Sequence, residues 1–163
     1  IANALIANEH IKLETLCISR DRVETEGAIA LARYFRTYDT LKKLEIYQNG
    51  IRDEGSAQLA DSLRAHAQSG ALKHLELNDN FFNTDQSRTA LFALIGEATQ
   101  LEHLNIDSSN LDEEDEEVHG RELIECLKES QCKSTLDFFS WSYDAFEMNK
   151  LMTDLLELLG DDE

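Results

Sequence analysis

The chain has 163 residues, 42% of them apolar, enough to fill the core of a single domain. Its 33 acids against 15 bases give a net charge of −18, which repels phosphate backbones and anionic lipids and favours protein partners with a basic face, so neither nucleic acid nor membrane is an expected partner. Three cysteines without a pairing pattern fit a reducing compartment, the cytoplasm, better than secretion, and no apolar stretch approaches the ~20 residues needed to cross a bilayer.

Residues 1–12 carry no signal pattern, and Ile1 to Ile11 reads as a helix with Ala4, Leu5 and Ala7 turned inward. The pattern fits the end of a repeat whose strand precedes Ile1, as in a portion of a longer protein. Next comes a phrase, Leu13-Leu16-Ile18-Asp21-Val23, that recurs at Leu41-Leu44-Ile46-Asn49-Ile51 and Leu72-Leu75-Leu77-Asn80-Phe82. Looser copies stand at Leu101-Leu104-Ile106-Ser109-Leu111 and Leu136-Phe139-Trp141-Asp144-Phe146. Copies starting near 13, 41, 72, 101 and 136 give a period of about 30 residues, a long leucine-rich repeat with room for a strand and a helix.

The predicted fold is therefore an α/β leucine-rich-repeat solenoid, a crescent with parallel strands on its concave face and helices on its convex face, in one domain over residues 1–163. In each copy positions 1, 4 and 6 point inward and positions 3, 5, 7 and 8 point out. The Asn at position 9, as in Asn49 and Asn80, satisfies backbone groups of the neighbouring turn. Helices follow the strands: Ala28, Leu31, Ala32 and Phe35 form one inner stripe, and Ala57, Leu59, Ala60 and Leu63 the next, with Asp53 as N-cap of the second. Gly27 and Gly55 recur at one offset before these stripes, and the absence of Pro agrees with the pattern. Residues 147–160, with Leu151, Met152, Leu155, Leu156, Leu158 and Leu159 at helical spacing, form a helix that caps the open core.

Two successive turns carry a resemblance. Tyr47-Gln48-Asn49-Gly50-Ile51-Arg52-Asp53-Glu54-Gly55 and Leu77-Asn78-Asp79-Asn80-Phe81-Phe82, with the acidic run before Val118, are similar to segments of the Ran GTPase-activating proteins, over roughly residues 13–127. The resemblance implies a surface that accelerates GTP hydrolysis by a Ran-type small GTPase in nucleocytoplasmic transport, from the cytoplasm or the nuclear envelope, through Arg20, Arg22, Tyr47, Gln48, Asn49, Asn78 and Asp79. It further implies catalysis without an arginine finger. An asparagine in a turn matching Ser19-Arg20-Asp21-Arg22-Val23-Glu24 orients the GTPase's own glutamine toward the attacking water. This chain has Asp21 at that position. A carboxylate accepts from the glutamine amide but cannot donate to it, so weakened activation, or binding alone, is expected. The rival reading is a noncatalytic leucine-rich-repeat adaptor.

The outward stripes set Thr15, Lys43, His74, His103 and Phe138 side by side, and next to them Cys17, Glu45, Glu76, Asn105 and Ser140. His74 and His103 with Glu76 could meet a metal ion, but such stripes are more often solvated or partner-contacting, so no metal and no cofactor is expected. The acidic run at residues 112–117 reads equally as a basic-partner contact and as a solvated helix start. Cys17, Cys126 and Cys132 are too scattered for a zinc set or a nucleophile pair, and no phosphate loop or Ser/His/Asp pattern occurs. Function, on these grounds, resides in a surface that meets another protein.

Overall fold

The computed structural model describes residues 2–8, 11–107, 116–136 and 138–140. After a short helix α1 (Ala2–Ile6), strands and helices alternate: β1 (Thr15–Cys17), α2 (Glu24–Thr37), β2 (Lys43–Glu45), α3 (Asp53–Gln68), β3 (His74–Glu76), α4 (Asp85–Glu97), β4 (His103–Asn105) and α5 (Glu116–Glu129). A 3-10 turn (Gln131–Ser134) then leads to β5 (Phe138–Ser140). The strands form one open, wholly parallel sheet in the order β1-β2-β3-β4-β5. Parallel neighbours need a crossover between them, and the helices supply it.

The leucine phrase explains the layers. Leu41, Leu44, Ile46, Leu72, Leu75, Leu77, Leu101, Leu104 and Ile106 are each 1% exposed or less, while the residues between them on the strands face solvent in part or fully. The first copy sits at the sheet's edge, so Leu13 and Ile18 are only partly buried. Against the inward side lie Ala28, Leu31, Ala32 and Phe35 of α2 and Ala57, Leu59, Ala60 and Leu63 of α3, all in the core. Small side chains let the helices close up: a Cβ at Gly55 would stand 2.8 Å from the Thr25 Cα and 2.9 Å from its carbonyl oxygen.

Polar groups tie consecutive repeats where the apolar layer ends. The Tyr34 hydroxyl donates to the Ile11 carbonyl (2.9 Å) and accepts from the Leu13 N–H (3.0 Å), fixing the chain ahead of β1 to α2. His66 is fully buried; its Nδ1 accepts from the Leu41 N–H (3.2 Å), which leaves Nε2–H to donate to the Phe35 carbonyl (3.0 Å). The neutral ring thus bridges α2, the start of the next repeat and α3. On the outer surface the Arg64 guanidinium spans α3 and α4 through both carboxylate oxygens of Glu97.

Two local expectations change. Ala4 and Ala7 are exposed and only Leu5 packs on the core, because a helix of five residues has too few turns to present an apolar stripe. Asp53 does not cap α3: it already belongs to the helix, at a φ of 48°, and the capping position is Arg52, without a side-chain cap bond. A side-chain cap with its reciprocal bond occurs instead at Thr84 and Ser87, which open α4. The acids at 112–115, Trp141 and the leucines of residues 147–160 lie outside the described residues.

Two measurements probe this packing. Gly55→Ala drives a Cβ into the Thr25 backbone and should cost about 1–3 kcal/mol in urea denaturation, whereas Gly96→Ala, with nothing within 4 Å of the added carbon, should be neutral or stabilising. Burial pushes the His66 pKa below the ordinary histidine value, partly offset by its bond to the Phe35 carbonyl. The unfolded ring takes up a proton below about pH 6.5 while the folded ring resists it. Stability is therefore full above that pH and falls as the pH drops below it. His74, lowered chiefly by burial, acts in the same direction, whereas the lowered carboxylates Glu45 and Glu97 act only at still lower pH. The melting temperature should decline from pH 7 to 5.5, and less steeply in a His66→Gln protein that starts out less stable.

Candidate functional site

The turns that follow the strands form one edge of the sheet, and the asparagines shape it. The Asn49 Oδ1 accepts from the backbone N–H of Asp21 (3.0 Å) and of Val23 (3.3 Å), while its Nδ2 donates to the carbonyls of Ile18 (2.6 Å), Ile46 (3.0 Å) and Tyr47 (3.0 Å). Asn80 does the same one repeat on: its Oδ1 accepts from the N–H groups of Asn49 and Ile51, both at 3.2 Å, and its Nδ2 donates to Ile46, Leu77 and Asn78 carbonyls. Each amide holds its own turn and the turn of the preceding repeat. Both residues are buried, at 2% and 1% exposure.

Held this way, the turns take backbone shapes that side chains rarely adopt. Arg20, Gln48 and Asp79, the eighth residue in three successive copies, have φ of 65°, 53° and 56°. Their N–H groups continue the interstrand ladder to the carbonyls of Tyr47 (3.1 Å), Asn78 (3.0 Å) and Asp107 (2.9 Å). The first copy is the most strained, with Arg22 (φ 51°) and Glu24 (φ 55°) also left-handed. Such strain persists only where the surroundings over-determine the chain, and it concentrates at binding sites.

Arg20, Asp21, Arg22, Gln48 and Asp79 are all exposed. In a chain of net charge −18, Arg20 and Arg22 have no ion pair among the described residues. The Arg20 guanidinium lies 5.6 Å from the centre of the half-buried Tyr47 ring, a contact that orients the side chain without neutralising it. Arg52 similarly covers Phe81 at 4.1 Å. An open groove runs between the first two turns, flanked by Arg22, Glu24, Gln48 and Arg52.

The exposed strand face carries a second cluster. Register places Lys43 beside His74, His74 beside His103, and Glu45 beside Glu76. The two imidazoles stack at 3.9 Å between centres with planes 8° apart, and both Nε2 atoms approach the Glu76 Oε1, at 3.4 Å for His74 and 3.1 Å for His103. Lys43 pairs with Glu45 at 2.5 Å, which holds that carboxyl below its usual range. Cys17 is exposed, yet partial desolvation of its sulfur, followed by the neighbouring Glu45, raises its pKa, so it stays a thiol. Cys126 is half-buried and Cys132 buried, both pushed up chiefly by burial.

The sequence-derived residues thus divide into two groups. Arg20, Asp21, Arg22, Gln48 and Asp79 share the exposed edge, with Tyr47 beneath Arg20 and Asn78 hydrogen-bonded to the Asp79 carboxylate (3.2 Å). Asn49 lies under that edge with its amide committed to the backbone, so its part in any contact is to fix the turn. What sequence reasoning missed is the left-handed column at position eight, for which only Asp79 has a side chain known to tolerate that shape.

The sequence matches no protein-family model and no curated protein. The solved structure of leiomodin-1 actin-binding site 2 superposes with a TM-score of 0.71 at 13% identity, over 97% of this chain and 84% of that one. This is a leucine-rich-repeat solenoid. At that identity the likeness establishes the fold alone.

Replacing Asn49 tests the architecture of the edge. Asn49→Asp keeps an acceptor for Asp21 and Val23 but sets a second oxygen against three carbonyls, and should lose about 2–4 kcal/mol in chemical denaturation. Asp21→Ala, whose side chain holds no turn, should change stability by less than about 0.5 kcal/mol.

Proposed function

We propose that this chain is a protein-docking module whose partner is a small GTPase of the Ran type, engaged through the edge formed by Arg20, Arg22, Gln48 and Asp79. The observation that carries the reading is the strained, amide-braced turn edge, which presents two guanidinium groups without an ion pair among the described residues, in an otherwise acidic protein. Guanidinium forks suit carboxylate-bearing partner surfaces, and pre-set backbone lowers the ordering cost of docking. The turn sequences at Tyr47 to Gly55 and Leu77 to Phe82 support the choice of partner. A cytoplasmic or nuclear-envelope setting belongs to the same proposal.

Asp21 governs whether docking also accelerates hydrolysis. Its backbone N–H is taken by Asn49, so only the exposed carboxylate can meet a partner's glutamine. An acceptor alone leaves the glutamine carbonyl undirected, and the added negative charge opposes the charge gathering on the γ-phosphate. The carboxylate thus favours a second reading, a chain that binds its GTPase with little activation.

Capture of a Ran-type GTPase in its GTP form over its GDP form is expected, with binding weakened about tenfold or more by Arg20→Ala combined with Arg22→Ala. Capture of neither nucleotide form would sink the proposal. In single-turnover GTP hydrolysis, Asp21→Asn should raise the rate roughly 10–100-fold. Equal rates would show that Asp21 does not set the activity.

A further inference from the structure

We propose that His74, Glu76 and His103 form a binding site for a divalent transition-metal ion of the zinc type on the exposed face of the sheet. Two imidazole nitrogens and a carboxylate oxygen are a recurrent zinc donor set, one that leaves a fourth tetrahedral position open. All three candidate ligand atoms lie within 4.8 Å of one another.

The spacing is the strongest argument. Ligands at about 2.0–2.1 Å from a tetrahedral zinc stand roughly 3.3 Å apart. The Glu76 Oε1 is 3.1 Å from the His103 Nε2 and 3.4 Å from the His74 Nε2. Two of the ligand-to-ligand edges therefore already have the right length, and the imidazoles, stacked with planes 8° apart, must each turn about their side-chain bonds to aim a lone pair at a shared ion.

The His74 Nε2 is shielded from solvent and has no hydrogen-bond partner among the described residues, although the Glu45 and Glu76 carboxylates each come within 3.4 Å. A bound cation would satisfy it. Burial and the neighbouring His103 and Lys43 lower the His74 pKa, while Glu76 and Glu45 oppose them.

The backbone makes the cluster rigid. Parallel pairing of β3 with β4 fixes His74 opposite His103, and Glu76 is two residues along β3 on the same face. Glu45 stands at the margin of the cluster, its Oε1 3.4 Å from the His74 Nε2 and held by Lys43. The fourth place is left to water or to a docked protein's side chain.

The test uses the whole chain, stripped with a chelator and dialysed. Zinc chloride should bind with one-to-one stoichiometry in calorimetry at pH 7.5 and raise the melting temperature by about 5 °C or more, while magnesium chloride should do neither. His103→Ala and Glu76→Gln should each weaken zinc binding at least tenfold with unchanged circular dichroism, and His119→Ala and Cys17→Ser should leave it intact. Absence of zinc binding overturns the proposal. So does binding that survives His103→Ala or disappears with Cys17→Ser, since either would locate the ion elsewhere. These outcomes are independent of GTPase capture.

Discussion

The side-chain amide of asparagine, with a carbonyl that accepts and an NH2 that donates, holds the turns of this solenoid together. A short strand followed by a sharp turn strands backbone N–H and C=O groups that no strand partner can reach, and leaving them unpaired in a buried place is costly. Asn49 and Asn80 each serve both kinds of group, in their own turn and the preceding one. The leucine layer supplies the driving force, but it is non-directional. The amides supply the direction, fixing which backbone groups face outward along the edge.

That division of labour explains how much could be read from the residues. Leu, Ile and Asn recur at fixed offsets because they answer the same demand in every repeat, so the fold, the inward positions and the placing of His74 beside His103 follow from the phrase, whereas the stacking of their rings does not. Helix boundaries were less legible: Asp53 has a capping side chain, yet the chain enters α3 through Arg52 in extended conformation and Asp53 in a left-handed one. The left-handed column was illegible for a related reason. Arg20 and Gln48 have no intrinsic preference for that shape, and it is imposed by the ladder and by the neighbouring repeat. Asn49 was legible as a brace of the neighbouring turn from its ninth position, whereas its burial, which takes it off the partner-facing edge where the family resemblance puts it, was not.

Two faces of the molecule offer contrasting chemistry. The turn edge presents arginines whose charge is not cancelled within the described residues, and it suits contact with another protein. The strand face carries alternating basic, imidazole and carboxylate groups already drawn to one another, with Lys43, Glu45, His74, Glu76 and His103 in mutual contact. The first surface is poised to recognise a partner. The second is poised to concentrate a small cation.

Asp21 occupies the ninth position of its repeat, but unlike Asn49 and Asn80 its side chain braces nothing: Asn49 reaches across to hold its backbone, and the carboxylate is left in solvent. The shape of this turn is therefore inherited from the repeat that follows. A residue relieved of structural duty can be exchanged without disturbing the scaffold, so the chemistry this turn shows to solvent is separable from the shape that presents it.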